Sequence, residues 1–262
     1  MKNSILQWNC RGLKANYDEI LLLLNSNDPS VICLQETFLK DSDNISFKNY
    51  SMYNYISDTG DRASGGSSVI VNNRAIHSQV PLVTNLQAVA VSVTLHRVIT
   101  ICSLYLPPSV NVCPNDLDAL LEQLPTPFLL LGDFNGHNIM WGSSDTNSRG
   151  KVVEDFIGRH DLCLFNNKEP TYLHPATGSF TCIDLSICHP TLYLDYDRKV
   201  GDDLCGSDHF PIFLQNIGSS VDQHVPRWKF KKANWEMFNF KCNAGQDAFF
   251  IIGKFQGKIV GF

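Results

Sequence analysis

The sequence lacks any long hydrophobic run. Its longest aliphatic stretch, residues 20–24, is far shorter than the roughly 18 apolar residues that a membrane span needs. The first dozen residues contain no apolar segment of the kind that directs secretion. We therefore expect a nuclear or cytoplasmic protein that is neither secreted nor held in a membrane.

The sequence also lacks C-x-x-C pairs and any excess of positive charge. Its nine cysteines are scattered, which argues against a zinc ribbon and favours free thiols buried in a reducing compartment. The 262 residues include 21 Lys and Arg against 26 Asp and Glu, so bulk attraction to nucleic acid is not indicated. An apolar fraction of 44% and a charged fraction of 18% are those of an ordinary globular chain.

The charge is divided unevenly along the chain. From His224 onward there are seven Lys and Arg residues and two acidic residues, and a stretch rich in Gly and Ser, 216–223, precedes this change. Such a switch is typical of a domain boundary. We predict a globular domain over residues 1–216, followed by a basic linker and divergent tail over residues 217–262.

The hydrophobic pattern predicts a mixture of strands and helices. Residues 88–95 alternate with period two, whereas residues 17–25, 114–124 and 151–160 have helical spacing. Further buried strands are predicted at 4–8, 30–35, 67–71, 97–106 and 128–132. Because several strands follow one another without a helix between them, the pattern indicates an α/β fold of two sheets with flanking helices.

Polar residues gather where these predicted strands end. The set comprises carboxylates, two amides, one phenol and one imidazole: Glu36, Asp133, Asp184, Asp208, Asn9, Asn135, Tyr105 and His209. Hard oxygen ligands of this kind suit Mg²⁺ or Mn²⁺ better than zinc. Each short motif that contains one of these residues is, taken alone, more often a turn or a helix cap. The hypothesis of a single site therefore depends on the order and spacing of all the motifs together.

Taken in order, these residues resemble the endonuclease/exonuclease/phosphatase family, which includes DNase I-like nucleases and apurinic/apyrimidinic endonucleases. The resemblance covers about residues 4 to 216. Finer phrases are similar to the endonuclease domain of jockey-type non-LTR retrotransposons, and they lie at 105–108, 132–137, 147–150, 161–167 and 170–172. Residues 228–235 resemble the segment that links that domain to a reverse transcriptase.

The resemblance implies a four-layer α/β/β/α sandwich with the site at one edge of its two sheets. It also implies a Mg²⁺-dependent endonuclease that nicks target DNA, with Mn²⁺ as a possible substitute. In this scheme Glu36 is the principal metal ligand, and Asp208 and Asn9 complete the shell.

The same resemblance assigns roles toward the scissile phosphate. Asp133 orients or deprotonates the attacking water, and Asn135 holds that water or a phosphate oxygen. His209 contacts the phosphate, Asp184 holds the His209 ring from behind, and Tyr105 donates to a phosphate oxygen. Arg11, Arg149 and Asn138 are candidates for binding the DNA itself, although for an arginine a solvated surface charge is the plainer interpretation.

Three alternatives remain at this stage. The same fold could hydrolyse a phosphoester that is not a nucleic acid. The chain could instead be an inactive, DNA-binding remnant of a decayed element. It could also be related to a reverse transcriptase by descent alone, because no Tyr-x-Asp-Asp motif of a polymerase is found. We expect a fragment of a retrotransposon polyprotein whose reverse transcriptase is missing downstream.

Overall fold

The computed structural model describes residues 3–57 and 63–217. Within these ranges the helices are α1 (Tyr17–Asn27), α2 (Pro114–Glu122) and α3 (Ser148–Arg159), with short 3₁₀ turns at Ile139–Trp141 and Pro190–Leu192. The first seven strands are β1 (Ser4–Asn9), β2 (Val31–Gln35), β3 (Tyr50–Tyr55), β4 (Ser67–Asn72), β5 (His77–Val80), β6 (Gln87–Thr94) and β7 (Val98–Tyr105). The others are β8 (Phe128–Asp133), β9 (Cys163–Leu164), β10 (Tyr172–Leu173), β11 (Phe180–Thr181), β12 (Asp184–Cys188), β13 (Tyr196–Val200) and β14 (Ile212–Asn216).

Two six-stranded sheets form the centre of the molecule. The first sheet has the order β13-β14-β1-β2-β4-β3, and the second has the order β5-β6-β7-β8-β12-β9. Each sheet contains a parallel central pair, β1 with β2 and β7 with β8, among antiparallel neighbours. Strands β10 and β11 form a separate hairpin.

Three apolar clusters hold the layers together. The middle cluster lies between the sheets and includes Val91 and Ile101. A second cluster packs α2 and α3 on the outer face of the second sheet, and a third packs α1 on the outer face of the first. The layers therefore run helix, sheet, sheet, helix, which confirms the predicted α/β/β/α sandwich.

Strand β6 shows how its alternating pattern is used. Val89, Val91 and Val93 face the other sheet, whereas Ala88 and Ala90 face the outer helices. Both faces are buried, and the smaller alanine side chains lie on the helix side. The period-two pattern thus sorts residues by size between two cores.

Some predicted boundaries differ from the structure. Helix α3 begins at Ser148, one turn before the prediction, because the Asn147 side chain accepts a hydrogen bond from the amide of Gly150 and caps the helix. Asn16 precedes α1 without capping it, since its amide group donates to the Cys10 carbonyl instead. Strands β3 and β5 were not predicted.

Other expectations concern cysteines, membranes and the tail. The eight cysteines of the described ranges are all free thiols, as predicted, but only five of them are buried, and Cys113 is exposed. In those ranges no helix is both long and apolar enough to cross a bilayer. Apart from Ile217, the predicted basic tail 217–262 lies outside the described residues, so the domain boundary stays a prediction.

Candidate active site

The facing sides of the two sheets change character toward one edge. Along β7 the inward residues run from the apolar Ile101 through Ser103 to Tyr105, and along β1 they run from Ile5 through Gln7 to Asn9. The inward-facing residues of each strand are thus apolar at its start and polar at its end. Because parallel neighbours β1 and β2 end at the same edge, the polar ends meet there.

A layer of buried polar side chains lies between the apolar residues of the two sheets and this edge. Gln7 donates from Nε2 to the Gly132 carbonyl (3.1 Å) and accepts from the Ser186 hydroxyl (2.9 Å), which joins the two sheets. Gln35 crosses the same gap and donates to the Ser103 hydroxyl (2.8 Å). Buried amides and hydroxyls are stable when bonded in this way, so the layer fixes the spacing of the sheets directly below the site.

Asp133 lies at the end of β8 and is almost completely buried. Its carboxylate accepts three hydrogen bonds of 2.9 Å, from Nδ2 of Asn9, from the backbone amide of Asn135 and from Nδ2 of Asn135. Asn135 adopts a left-handed φ of 48°, which turns its side chain back onto Asp133. Burial, and then the negative charge of Asp184, raise the pKa of Asp133 to about 7, although the neighbouring His209 opposes the shift.

His209 is buried beside Asp133 and is held from both sides. Its Nδ1 lies 2.8 Å from Oδ2 of Asp184, as predicted, and its Nε2 lies 3.3 Å from Nδ2 of Asn9 and 3.9 Å from Oδ2 of Asp133. Burial alone lowers the pKa of this ring, but the carboxylates of Asp184, Asp133 and Asp208 outweigh it and raise the pKa to about 9.

The segment that carries His209 is anchored on β1. The indole Nε1 of Trp8 donates to the His209 carbonyl (2.9 Å), and the Ser207 hydroxyl donates to the Asn9 carbonyl (2.8 Å). The Tyr172 ring packs against His209 with centroids 4.7 Å apart. Residues 200 positions apart in the chain are thereby fixed next to one another.

Glu36 and Tyr105 form a further part of the site. The Tyr105 hydroxyl donates to Oε1 of Glu36 at 2.8 Å. Burial and the negative charge of Glu36 raise the pKa of Tyr105 well above its usual value. The phenol therefore remains a hydrogen-bond donor throughout the neutral range.

Asp208 and Arg11 are paired at the exposed side of the site. A guanidinium nitrogen of Arg11 lies 3.3 Å from the Asp208 carboxylate, and the backbone amide of Arg11 donates to Oδ1 of Asn9 (3.1 Å). More than half of the Arg11 side chain is exposed, so it can reach a ligand in solvent.

The predicted site residues are therefore brought together. Their roles stay predictions, but hydrogen bonds or charge link every one of Asn9, Glu36, Tyr105, Asp133, Asn135, Asp184, Asp208 and His209 to another member of the set.

The donor set fits a hard divalent cation. Asp133, Asp184 and His209 each bring one potential ligand atom within 4.8 Å of the others, and all three are buried. Asp184 and His209 already bond to each other, whereas Glu36 and Asp208 are less buried carboxylates beside this cluster. The charge of Glu36 adds to the raised pKa of Asp133, so a cation placed among these carboxylates would relieve their mutual repulsion.

Two predicted DNA contacts lie differently from the expectation. Asn138 is buried, accepts the amide of Met140 (2.8 Å) and donates to the Glu154 carboxylate (2.8 Å). The guanidinium of Arg149 points to backbone carbonyls, including those of Leu106 (2.9 Å) and Pro107 (2.8 Å). Asn138 is buried and Arg149 is partly buried, and the donor groups of both side chains bond to protein groups beside the site.

A family model described as endonuclease-reverse transcriptase matches residues 99–213, a span that contains Tyr105, Asp133, Asp184 and His209. Solved structures match much more of the chain. The endonuclease domain of TRAS1, a telomere-specific non-LTR retrotransposon, aligns over 82% of this chain and 98% of its own length, with a TM-score of 0.69 and 20% identity.

The chain is similar in fold to proteins of the endonuclease/exonuclease/phosphatase family. The same fold is found in the AP endonuclease LMAP from Leishmania major, which aligns over 81% of this chain and 87% of its own length at a TM-score of 0.64 and 14% identity. Among curated proteins, the RNA-directed DNA polymerase from mobile element jockey of Drosophila melanogaster is 30% identical over 169 residues, which are 63% of this chain and 18% of the relative.

A second curated relative extends over more of the chain. The probable RNA-directed DNA polymerase from transposon X-element of Drosophila melanogaster is 24% identical over 258 residues, which are 93% of this chain. Only 28% of that relative is covered, so the chain spans 18% of the length of the first relative and 28% of the length of the second.

Sequence reasoning missed the residues that support the site from below. Arg198 is buried in β13 and donates from Nε to the Ser186 hydroxyl (3.2 Å), which extends the polar layer of Gln7. A signal was present, because Arg198 alternates with the exposed Asp197 and Lys199 and so shares the inward face with Tyr196. Asn166 and Thr171 also support the Asp184 backbone, through Asn166 Nδ2 to the Asp184 carbonyl (2.9 Å) and the Asp184 amide to the Thr171 hydroxyl (3.1 Å).

Proposed function

We propose that this domain is a divalent-metal-dependent DNA endonuclease that nicks a phosphodiester bond. The observation that carries the proposal is the buried Asp133 carboxylate, held by Asn9 and Asn135 beside the Asp184-supported ring of His209. A carboxylate next to a fixed imidazole supplies a proton acceptor and a hydrogen-bond donor within a few ångströms. Both groups can assist the hydrolysis of a phosphodiester.

Asp133 is suited to accept a proton from water. Without a cation its pKa is raised to about 7, and a cation bound nearby would lower it, so that the group would be an ionised proton acceptor at neutral pH. The side chain of Asn135 fixes one of its oxygens by a hydrogen bond of 2.9 Å. In the proposed reaction the water attacks phosphorus in line with the leaving 3′-oxygen, and the P–O3′ bond breaks. The leaving oxygen takes a proton from solvent, so the products carry a 3′-hydroxyl and a 5′-phosphate.

His209 and Tyr105 are suited to hold the phosphate. The protonated ring of His209, maintained by Asp184, donates to a non-bridging oxygen as negative charge develops there. Tyr105 remains protonated and can exchange its bond to Glu36 for one to the phosphate. Glu36, Asp208 and Asn9 would hold Mg²⁺, or Mn²⁺, which supplies Lewis-acid neutralisation of the phosphate charge.

The biological setting is also part of the proposal. The curated relatives are named as RNA-directed DNA polymerases of mobile elements. We infer that the domain nicks target DNA for a non-LTR retrotransposon, in a polyprotein whose reverse transcriptase uses the nick. Arg11 would contact the DNA backbone, and access to chromosomal DNA requires entry into the nucleus after synthesis in the cytoplasm.

Incubation of the full chain with supercoiled plasmid tests the activity. We expect conversion to the open-circular form with Mg²⁺ and none with EDTA. Asp133→Asn and His209→Ala should abolish nicking, whereas Asp155→Asn, an exposed position on α3, serves as the matched carboxylate control. Release of phosphate from an inositol phosphate without plasmid nicking would contradict the proposal and favour a phosphatase of the same fold.

A further inference from the structure

The start of α3 fits closely against the loop that follows Asp133. The Asn147 side chain accepts the backbone amides of Gly150 (2.7 Å) and His137 (3.2 Å), and the Asn147 amide donates to the His137 carbonyl (3.1 Å). A β-carbon on Gly150 would lie 1.8 Å from the His137 carbonyl oxygen, so only glycine permits this approach. Residues 147–150 are therefore shaped to hold the loop after Asp133.

Arg149 projects from this segment into a ring of backbone carbonyls. Its Nη1 donates to Leu106 (2.9 Å) and Phe134 (3.4 Å), and its Nη2 donates to Pro107 (2.8 Å), to Pro108 (3.4 Å) and to Val110. A guanidinium has five N–H donors, and these carbonyls use most of them. A DNA phosphate could bind this group only by displacing bonds that it already makes.

One of these carbonyls is shared with the candidate active site. Nδ2 of Asn135 donates to the Leu106 carbonyl (3.2 Å) as well as to Oδ2 of Asp133 (2.9 Å). Arg149 and Asn135 thus donate to the same oxygen, and Asn135 in turn donates to the proposed base. Leu106 also follows Tyr105 directly, so the strand end that carries the phenol belongs to the same unit.

We propose that Arg149 is a positioning residue of the nuclease site rather than a DNA contact. It holds the Leu106 carbonyl, which holds the Asn135 amide, which fixes the orientation of the Asp133 carboxylate. The inference deepens the proposed function and rests on it. It replaces the expectation that Arg149 grips the DNA backbone.

Kinetics and DNA binding separate these two roles. The variants are Arg149→Met, which keeps the length but removes the donors, and Arg149→Lys, which keeps the charge. The matched control is Arg159→Met, since Arg159 lies on the same helix and pairs with Asp118 at 2.7 Å, outside the site. Single-turnover nicking is measured with Mg²⁺, and the dissociation constant for DNA is measured in EDTA over a series of salt concentrations.

We expect Arg149→Met to slow nicking by about 10- to 100-fold, because a displacement of about 1 Å at a reacting group has effects of this size. Arg149→Lys should recover part of the loss, and Arg159→Met should nick at the wild-type rate. DNA affinity and its salt dependence should stay unchanged in all three variants. Wild-type nicking by Arg149→Met would overturn the inference. So would weaker DNA binding with a salt slope reduced by about one, which is the mark of a lost phosphate contact.

A double variant tests whether Arg149 acts through Asn135. If it does, Arg149→Met combined with Asn135→Ala should nick no more slowly than Asn135→Ala alone. Multiplication of the two single effects would show that Arg149 acts by another route and would overturn the inference.

Nuclear magnetic resonance gives a measure that does not depend on activity. In ¹⁵N-labelled protein, Arg149→Met should shift the side-chain amide signals of Asn135 and speed their hydrogen exchange. The Asn166 amide, held at Asp184 on a different strand, serves as the internal reference and also reports that the variant is folded. Unchanged Asn135 signals would overturn the inference. A wild-type protein that does not nick DNA would instead overturn the proposed function, while the Asn135 signals still decide the role of Arg149.

Discussion

Asp184 lies 2.8 Å from Nδ1 of His209, and both side chains are buried. This carboxylate is the strongest reason that the ring keeps its proton in a site from which water is largely excluded. We predict that Asp184→Asn lowers the pKa of His209 and slows nicking by roughly 100-fold at pH 8, within the range usual for acid–base groups. The loss should be smaller at pH 6, where more of the ring is protonated even without the charge of Asp184. A pH–rate profile of the folded variant measures this. An equal loss at every pH would show that Asp184 does not act by keeping the ring protonated.

The raised pKa of His209 also predicts how stability depends on pH. The pKa rises from 6.5 to about 9, so the folded protein binds this proton more tightly than the unfolded chain does. The resulting stabilisation is fully present below about pH 6.5 and is lost as the pH rises through 9. In EDTA, the free energy of unfolding of wild-type protein relative to His209→Gln should fall by on the order of 3 kcal/mol across that interval. Urea denaturation at several pH values measures the difference, and a flat difference contradicts the prediction.

A substitution at Gln7 measures how much the polar layer between the sheets contributes to the free energy of unfolding. Gln7→Leu leaves the Gly132 carbonyl and the Ser186 hydroxyl without their partner across the gap. We expect a loss of about 2–4 kcal/mol in the free energy of unfolding, because each buried polar group left unbonded costs about 1–3 kcal/mol. Gln79→Leu, at an exposed position of the edge strand β5, is the matched control and should change stability little. Equal denaturation midpoints for the two variants would show that the layer does not stabilise the fold.

Two glycines of α3 give opposite predictions for the same substitution. Gly150→Ala places a methyl group 1.8 Å from the His137 carbonyl, so the loop after Asp133 must move. We expect a destabilisation of about 3 kcal/mol, at the upper end of overpacking effects, together with reduced nicking. Gly158 has open space around it, and Gly158→Ala should stabilise the protein by roughly 0.5–1 kcal/mol through helix propensity. Thermal unfolding of both variants measures the contrast, and similar shifts in Tm would contradict it.

The sequence was more informative about the residues of the site than about the residues that hold them in place. Glu36, Asp133 and His209 stand at the ends of apolar runs, so a strand pattern is enough to bring them to one edge. Asn138 was a candidate for substrate binding because it lies close to Asp133 in sequence, and Arg149 was a candidate because of its positive charge. Their partners are set by the tertiary structure, and Arg149 bonds to carbonyls 39 to 43 residues earlier. No local pattern contains that information.

Edge strands were the least predictable part of the fold. The residues of β3 are nearly all half-buried, and β5 exposes two of its four residues, so neither strand has a clear alternation of buried and exposed positions. The burial of residues in strand β13 does alternate. Three consecutive residues of this strand are charged, however, so the sequence does not indicate that Arg198 faces inward. Periodicity is informative where one face is strongly apolar, and it fails where the covered face is itself polar.

The position of β1 in its sheet has a consequence for synthesis on the ribosome. This first strand pairs with β2 on one side and with β14, residues Ile212–Asn216, on the other. Asn9 and His209, which lie side by side in the site, therefore emerge 200 residues apart. Until β14 has left the exit tunnel, β1 has an open edge and the site lacks its imidazole. Under the proposed function, a nascent chain cannot nick DNA before His209 has been translated.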